Sequence, residues 1–275
     1  MKFGIIGTGN MGTLMLDALV KSRLAKPKQI AVTNRTEEKA LALQRKYHGL
    51  HVLSTPSEVV KRAAIVFLCV KPVQFFPLLQ PLRGQWRYDQ TAISITSPIT
   101  VEQLERVIPC QVVRAVPSIV NQSLAGSTLI TFGTNLTDYQ KFKVWTMLSS
   151  FSQPIEISEE KIRAASDISS CGPAFLCFGL EKAIAAAASQ TALTSKEATE
   201  LVTEMLIGFG KLLESRSYTL TELREKVTVR GGVTGVGLDV LEQSYENVFE
   251  QMFNATAQKF IDDHKQVDSL AVQGD

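Results

Sequence analysis

The stretch FGIIGTGNMGTLMLDALV, residues 3–20, decides the fold of the first half of this chain. A short apolar run, typical of a buried parallel strand, is followed at once by G-x-G-x-x-G and then by apolar residues at helical spacing. In that context Gly7 permits a tight turn, Gly9 lets the backbone approach a pyrophosphate, and Gly12 allows close helix–strand packing. The helix amino terminus offers free N–H groups to phosphates. We predict a dinucleotide-binding loop formed by Ile6, Gly7, Thr8, Gly9, Asn10, Met11 and Gly12.

The end of the next strand indicates which dinucleotide is bound. The run QIAVT, residues 29–33, leads into Asn34, Arg35 and Thr36, where an NAD site usually has an acidic side chain on the ribose 2′-hydroxyl. An arginine pairs with a 2′-phosphate, and asparagine and threonine donate hydrogen bonds to it. We therefore expect NADP(H), with NAD(H) still possible. The alternative is that Arg35 is a solvated residue at a helix start and that Thr36 caps that helix.

Strands and helices alternate through the first half of the chain. The runs HVLS, AAIVFLCV, TAISIT, QVVRAV, STLITF and PIEIS predict further strands, so we expect an α/β fold with a Rossmann-type parallel sheet covered on both faces. Ligands of such sheets lie beyond the carboxyl ends of the strands. Val70, Lys71 and Pro72 follow one strand and are predicted to contact the cofactor, and Pro117 and Ser118 follow another. The alternative for both is ordinary punctuation after a strand.

The second half of the chain has helical patterns only. We predict a dinucleotide-binding domain over residues 1–158 and an all-α domain over residues 159–275. Pro173 suits the first turn of a helix, and the sequences TSKE and TLTE, which begin at Thr194 and Thr219, are typical of capping boxes. A long amphipathic helix is expected after Gly237, and the tail KQVDSLAVQGD is expected to fray.

The helix that follows Thr194 is apolar around more than one face. Leu201, Met205 and Leu212 form one stripe, and further apolar residues extend it around the cylinder. Such a surface predicts burial on two sides. The helical domain therefore packs on the first domain, or on a second copy of itself.

Composition excludes several classes of function. The chain has 275 residues, of which 45% are hydrophobic and 20% charged, so a packed core is expected. The net charge of +2 without a basic block argues against nucleic-acid binding. Four cysteines without a C-x-x-C pair, and only three histidines, argue against a zinc site. The amino-terminal apolar run is too short for a signal peptide, and no window approaches the ~20 apolar residues of a membrane span. We expect a soluble, cytoplasmic protein with no membrane partner.

A second glycine cluster lies near the carboxyl terminus. In VTVRGGVTGVG, residues 227–237, Gly231 and Gly232 precede a helix that is expected to begin near Thr234. Glycines leave backbone N–H groups unobstructed, and a helix amino terminus attracts an anion. The cluster thus suits a substrate carboxylate. The alternative is that the glycines turn the chain and Thr234 caps the last helix.

Taken in order, six motifs make the chain similar to the Δ1-pyrroline-5-carboxylate reductase family. They are IIGTGNMG, NRT, FLCVKPVQF, VVRAVPS, SSCGPAF and VTVRGGVTGVGLDVLE. The resemblance extends over nearly the whole chain, from Lys2 to about Lys259. The resemblance implies reduction of the C=N bond of a cyclic imino acid with NAD(P)H to give L-proline. It also implies a helical dimerisation domain, with a homodimer or higher homo-oligomer, and an active site that includes helical elements of the partner subunit.

The resemblance also implies the roles of individual residues. Thr234 matches the threonine whose hydroxyl bonds the ring nitrogen, so it is the predicted catalytic residue. Holding the imine carbon within about 3–3.5 Å of the nicotinamide is the main requirement of this chemistry, and a hydroxyl at the nitrogen orients the ring and relays a proton. The predicted substrate-binding residues are Arg230, Gly231, Gly232, Val233 and Cys171.

Departures from the family pattern fall at the predicted sites. Arg230 replaces a proline, Cys171 lies in the altered motif SSCGPA, Ser118 replaces an asparagine, and Pro56 replaces another asparagine near the adenosine ribose. Four interpretations of Arg230 stay open. It adds a charge-assisted bond to a substrate carboxylate, it blocks the pocket, it binds a larger anionic substrate, or it is an exposed residue of a loop. These departures resemble the late-competence ComER-type subgroup. They leave open a reductase of another cyclic imine and an NADP-binding regulatory paralogue without catalysis.

A β-hydroxyacid dehydrogenase has the same two-domain plan. That family has a catalytic lysine one helical turn after a glycine in its first interdomain helix. Here the turn after Gly172 reads PAFL, without a lysine, which argues against this activity.

Overall fold

The computed structural model describes residues 1–272, which form two compact units. The first unit comprises Met1–Pro173 together with the chain from Thr256 onward, and the second is Ala174–Ala255. The predicted division of the chain between residues 158 and 159 stays a prediction.

The first unit is an α/β domain built on one eight-stranded sheet. The strands are β1 Phe3–Ile6, β2 Ile30–Thr33, β3 His51–Val52, β4 Ile65–Leu68, β5 Thr91–Ser94, β6 Gln111–Val116, β7 Ser127–Phe132 and β8 Gln153–Glu156. The helices are α1 Asn10–Lys21, α2 Glu37–Lys46, α3 Pro56–Arg62, α4 Phe75–Leu79, α5 Val101–Val107, α6 Asp138–Ser149 and α7 Ile162–Ser166.

The strand order is β3-β2-β1-β4-β5-β6-β7-β8, and β1 to β6 are mutually parallel. Phe3 of β1 pairs with Ile30 on one side and with Ile65 on the other, so the strand order reverses between β1 and β4. This is the doubly wound arrangement in which ligands bind beyond the carboxyl ends of the strands at the point of reversal. The predicted Rossmann-type α/β fold is confirmed.

The sheet is not wholly parallel, which corrects the sequence prediction. β7 runs antiparallel to β6, and β8 is parallel to β7. A parallel connection needs a crossover, usually a helix, whereas residues 117–126 between β6 and β7 form only a short 3₁₀ turn, Ile119–Ser123. The intervening α6 then supplies the crossover from β7 to β8.

Two apolar clusters cover the two faces of the sheet. Ile5 belongs to one cluster and Ile6 to the other, as the two-residue period of a strand requires. All residues of β1, β2, β5 and β6 are buried, which explains their near-continuous apolar sequences. The helices α3, α5 and α6 each begin at a threonine whose side chain closes a capping box, namely Thr55, Thr100 and Thr137.

The helix expected to start at Pro173 instead continues from the preceding one. Asp167–Cys171 is a π-helical turn that joins α7 to α8, Gly172–Gln190. Pro173 has no N–H and cannot continue a regular helical ladder, and a π-turn is one way to pass such a point. The joined stretch Glu159–Gln190 is long and apolar enough to cross a membrane by length and composition, so the expectation that no window approaches a span was wrong here. One such helix is weak evidence of a membrane span.

The second unit is wholly helical. The capping boxes at Thr194 and Thr219 are confirmed, and they open α9 Ser195–Glu214 and α10 Leu220–Val227. The long helix expected after the glycine cluster is divided into α11 Val233–Tyr245 and α12 Val248–Val272. Asn247 between them has a φ of 61°, a left-handed conformation that ends a helix.

The tail that was expected to fray is helical and continues α12. Val267 is fully buried in one of the two apolar clusters that cover the sheet, and Leu270 packs against the same cluster. The Gln103 side chain on α5 donates to Asp268 Oδ1 at 2.6 Å. The carboxyl-terminal turns are thus part of the first unit. The last three residues of the predicted tail lie outside the described residues.

Candidate functional site

A cleft of about 500 Å³ opens beyond the carboxyl ends of β1, β2 and β4, and its size is that of a cofactor site. Eight of the residues predicted to bind the cofactor line this cleft, namely Ile6, Gly7, Gly9, Asn34, Arg35, Thr36, Val70 and Lys71. Thr8, Asn10, Met11, Gly12 and Pro72 adjoin these residues in the chain without lining the cleft.

Glycine is found at the three positions of the loop for different structural reasons. Gly7 has a φ of 96°, and a Cβ there would lie 2.4 Å from the carbonyl oxygen of Cys69. A Cβ on Gly12 would lie 1.9 Å from the carbonyl oxygen of Gly7, so close packing excludes any side chain. Gly9 differs, because nothing lies within 4 Å of its Cβ direction. Gly9 is also the N-cap of α1, so it leaves open space beside the free N–H groups of a helix amino terminus.

Asn34 joins the glycine loop to the end of β2. Its Oδ1 accepts from the N–H of Thr8 at 2.9 Å, and its Nδ2 donates to the carbonyl oxygen of Thr36 at 2.9 Å. The Asn34 amide therefore holds the two loops together. The buried hydroxyl of Thr8 has no hydrogen-bond partner within residues 1–272, and such an orphan is a reason to expect a ligand. Thr36 is the N-cap of α2 but accepts no capping bond, so its hydroxyl also stays available.

Three cations line the cleft, and no carboxylate does. Arg35, Lys39 and Lys71 all belong to the lining, and within the described part of the chain the guanidinium and the two ammonium groups form no ion pair. Such a cleft attracts a phosphorylated ligand. Sequence reasoning missed Lys39, which lies in α2 and lines the same cleft as Arg35. It also missed Ser54 and Gln74.

The wall near β4 is apolar and unreactive. Val70 and Cys69 follow the strand and line the cleft. Burial raises the pKa of the Cys69 thiol well above its ordinary value, so the group stays protonated and does not act as a nucleophile. Pro72 opens a 3₁₀ turn, Pro72–Gln74, in which the Gln74 side chain accepts from the N–H of Lys71.

Cys171, predicted to contact substrate, ends the π-turn of the first unit. Its Sγ lies 3.5 Å from Nη2 of Arg163, and the same guanidinium pairs with the buried carboxylate of Asp167. Thr256 on α12 also donates to Asp167, at 2.7 Å. Asp167 thus anchors the turn that carries Cys171.

The remaining predicted substrate residues lie in the second unit, at the start of α11. Gly231 has a φ of 73°, which favours glycine, and Gly232 is the N-cap without a side-chain bond. Thr234 is the second residue of the helix, so it is not the cap that the alternative interpretation required. Its hydroxyl has no hydrogen bond within the described residues. Val233 and Arg230 are exposed.

Comparison with known proteins places this architecture in a family. Residues 159–262 match the family model for pyrroline-5-carboxylate reductase dimerisation, and residues 2–98 match the model for NADP oxidoreductase, coenzyme F420-dependent. The chain is 43% identical to ComE operon protein 4 of Bacillus subtilis over 263 residues, which is 96% of each chain.

Reductases of known name are more distant relatives. Pyrroline-5-carboxylate reductase of Staphylococcus aureus is 28% identical over 95% of this chain and 97% of its own. The crystal structure of Plasmodium falciparum pyrroline carboxylate reductase with NADP bound superimposes with a TM-score of 0.81, at 22% identity over 97% of this chain and 98% of that one. At this identity, the similarity to that structure shows a shared fold. The chain is an oxidoreductase of the pyrroline-5-carboxylate reductase family, with an amino-terminal domain of the NADP oxidoreductase type.

Proposed function

We propose that the protein reduces the C=N bond of Δ1-pyrroline-5-carboxylate to L-proline with NADPH. The observation that carries the proposal is the hydroxyl of Thr234, which has no hydrogen-bond partner in the described chain and is not a helix cap. It stands in the first turn of a helix that two glycines precede, where unpaired N–H groups can donate hydrogen bonds to an anion. Relatives at 28% identity are named pyrroline-5-carboxylate reductases, which supports the same activity.

The first unit fits NADP(H). Gly9 provides an open approach for the pyrophosphate, and the Thr8 hydroxyl in the same loop is an unsatisfied buried group. Arg35 and Lys39 supply positive charge to the cleft. Two cations at the end of β2, without an acidic side chain in the cleft, favour a 2′-phosphate over a free ribose hydroxyl. When bound, NADPH supplies a hydride for reduction of the imine.

The helical unit supplies groups that bind and orient the substrate. The N–H groups of the first turn of α11 suit a carboxylate, and the Thr234 hydroxyl suits the ring nitrogen. A cyclic imine is protonated in water, so the enzyme needs no strongly acidic residue. Hydride adds to the imine carbon, and the electrons of the C=N π bond become the lone pair of the product amine. Orientation is therefore the main contribution of these residues.

A homodimer is part of the proposal. Among residues 174–255 the buried apolar side chains are Ala198 and Leu223 only. Large apolar side chains of α9 and α11 are instead exposed, namely Leu201, Met205, Ile207, Leu212, Val233, Val236, Val240 and Leu241. A helical unit with so little core of its own needs a covering partner. The match of this region to a dimerisation model supports a second copy, and a higher homo-oligomer uses the same surface.

The test is NADPH oxidation by the purified protein with Δ1-pyrroline-5-carboxylate, followed by loss of the near-ultraviolet absorbance of NADPH. NADH is run alongside. Saturable turnover that prefers NADPH is the expected result. Binding of NADPH without turnover would contradict the proposed substrate, and larger cyclic imines are then tested in the same assay.

A second candidate function follows from the relative of higher identity. ComE operon protein 4 does not have a reductase name, and Ser118, Cys171 and Arg230 depart from the family motifs. We infer from them a second candidate, an NADP-binding regulatory protein that has lost the catalysis of its family. This candidate predicts NADPH binding with no turnover of any cyclic imine, and measurable turnover excludes it.

A further inference from the structure

Two segments about fifty residues apart in the chain are joined by a pair of reciprocal hydrogen bonds. The Ser118 hydroxyl donates to the carbonyl oxygen of Ser169 at 2.6 Å, and the Ser170 hydroxyl donates to the carbonyl oxygen of Pro117 at 2.7 Å. We refer to these four residues as the serine latch. It connects the end of β6 to the π-turn Asp167–Cys171.

The Ser118 hydroxyl supplies a hydrogen bond to a carbonyl group that lies four residues before a proline. In a regular α-helix, the carbonyl of Ser169 would accept from the N–H of residue 173. That residue is Pro173, which has no N–H. The hydroxyl of Ser118 takes that position instead. Ser118 is only 1% exposed, so removing its hydroxyl removes a hydrogen bond from a largely buried position.

Ser118 is itself held by the loop that follows it. Its N–H donates to Oδ1 of Asn121 at 2.8 Å, and Nδ2 of Asn121 donates to the carbonyl oxygens of Ala125 and Ser127. Asn121 is fully buried. The loop therefore has a fixed conformation, and the latch transmits that conformation to the π-turn.

The latch lies at the carboxyl ends of the strands, the same end of the sheet at which the cofactor cleft opens. β4, β5 and β6 are neighbouring parallel strands, so their carboxyl ends lie at one edge, and neighbouring strands are about 4.8 Å apart. The end of β6 is therefore about 10 Å from the end of β4, where Lys71 lines the cleft. In doubly wound sheets the second half of a dinucleotide lies over these strands.

We propose that Ser118 and Ser170 are positioning residues that hold the turn bearing Cys171 beside the reacting half of the cofactor. This inference rests on the proposed reductase function. Neither serine touches the reacting atoms. The latch fixes the turn against β6, and a displacement of about 1 Å at a reacting centre lowers the rate about 100-fold. The adenosine half of the cofactor, over β1 and β2, is unaffected.

Kinetics of latch variants provide the first test. We expect Ser118→Ala and Ser170→Ala each to lower kcat at least about 10-fold, with an unchanged dissociation constant for NADPH. The double variant falls little below either single one, because the two bonds act as a unit. Ser170→Thr retains the hydroxyl and restores kcat. A variant with normal kcat, or one with kcat and NADPH affinity lowered together, overturns the proposal.

The matched control is Thr91→Val. Thr91 is also buried, and its hydroxyl donates to Oε1 of Gln111 at 3.0 Å. It opens β5, at the opposite edge of the sheet from the latch. This variant loses a comparable buried hydrogen bond and should keep its kcat. If it lowers kcat as much as Ser118→Ala does, the effect is one of general stability.

A second readout does not depend on turnover. In a Cys177→Ala background, which removes the exposed thiol, the rate at which iodoacetamide alkylates Cys171 reports on the π-turn. We expect Ser118→Ala to increase this rate several-fold, and Thr91→Val to leave it unchanged. If the protein does not reduce pyrroline-5-carboxylate but Ser118→Ala accelerates labelling, the proposed function fails and the latch stands. An unchanged labelling rate overturns the proposal that the latch positions the π-turn.

Discussion

The threonines at helix starts fall into two groups, those whose hydroxyl caps the helix and those whose hydroxyl does not. Five threonines cap a helix with their hydroxyl groups, namely Thr55, Thr100, Thr137, Thr194 and Thr219. Thr36 and Thr234 also lie at helix starts, yet neither hydroxyl bonds to the backbone of its helix. One lines the cofactor cleft, and the other is the predicted catalytic residue. An uncommitted hydroxyl at a helix start is the feature that both share.

Thr234 gives the sharpest prediction for a single residue. We expect Thr234→Ala to lower kcat for pyrroline-5-carboxylate about 100-fold, because the ring nitrogen loses its orienting group. The dissociation constant of NADPH, measured by fluorescence, should stay unchanged. Thr234→Ser keeps the hydroxyl and should retain most of the activity. Wild-type turnover by the alanine variant would contradict the catalytic assignment.

Cofactor selectivity is a second property of single residues. We expect Lys39→Ala to weaken NADPH binding about 10-fold or more, because a hydrogen bond to a charged group contributes about 1.5–3 kcal/mol. NADH binding should change little, since it has no 2′-phosphate. Arg45→Ala on the same helix is the control, because Arg45 is exposed and paired with Glu38 outside the cleft. Equal losses for NADPH and NADH would assign Lys39 another role.

At the scale of elements, a buried carboxylate joins α1 to the end of α2. Asp17 on α1 accepts from Nζ of Lys46 at 3.1 Å and from the hydroxyl of Tyr47. Burial, and then the hydrogen bond to Asp17, raise the pKa of Tyr47 above its ordinary value of about 10. The folded state therefore holds this proton more tightly than the unfolded chain does. The resulting stability is complete below pH 10 and is lost as pH rises through the pKa of the folded state.

We expect alkaline pH to destabilise the wild-type protein more than Tyr47→Phe. The variant should be less stable at pH 8 by on the order of 1–2 kcal/mol, because Asp17 loses a hydrogen bond. The difference should shrink above pH 10. Urea denaturation at pH 8 and above pH 10 measures this difference in stability. Buried thiols such as Cys110, whose pKa burial raises to about 12, are present in both proteins, so their contribution cancels in the comparison. A difference that does not depend on pH would contradict this interpretation.

Local patterns predicted some elements better than others. The glycine loop and the capping boxes at Thr194 and Thr219 were predictable, because each depends on residues that are adjacent in the chain. The direction of β7 was not, since it depends on the connection before the strand rather than on the strand itself. Lys39 was missed because only the folded end of β2 brings it beside Arg35. The role of Thr234 stays a prediction, since it depends on groups that bind from outside the chain.

For the whole molecule, the exposed apolar surface of the helical unit is the main expectation to test. We expect Leu201→Glu combined with Met205→Glu to dissociate the homodimer, because two buried unpaired charges would be costly in an apolar interface. Analytical ultracentrifugation measures the mass, and the melting temperature of the wild type should rise with protein concentration. Tyr88→Glu, at an exposed position of the first unit, is the control. A monomeric wild type would contradict the proposed assembly.

The return of α12 to the first unit bears on how the protein is made. A nascent chain generally folds domain by domain from its amino terminus, yet Val267, near the carboxyl terminus, is fully buried in the core of the first unit. On the ribosome, the sheet therefore emerges complete in its strands while one wall of its core is still untranslated. The cofactor domain becomes fully folded only after the helical unit has been synthesised. A chain that ended before these turns would leave part of the core of the first unit uncovered.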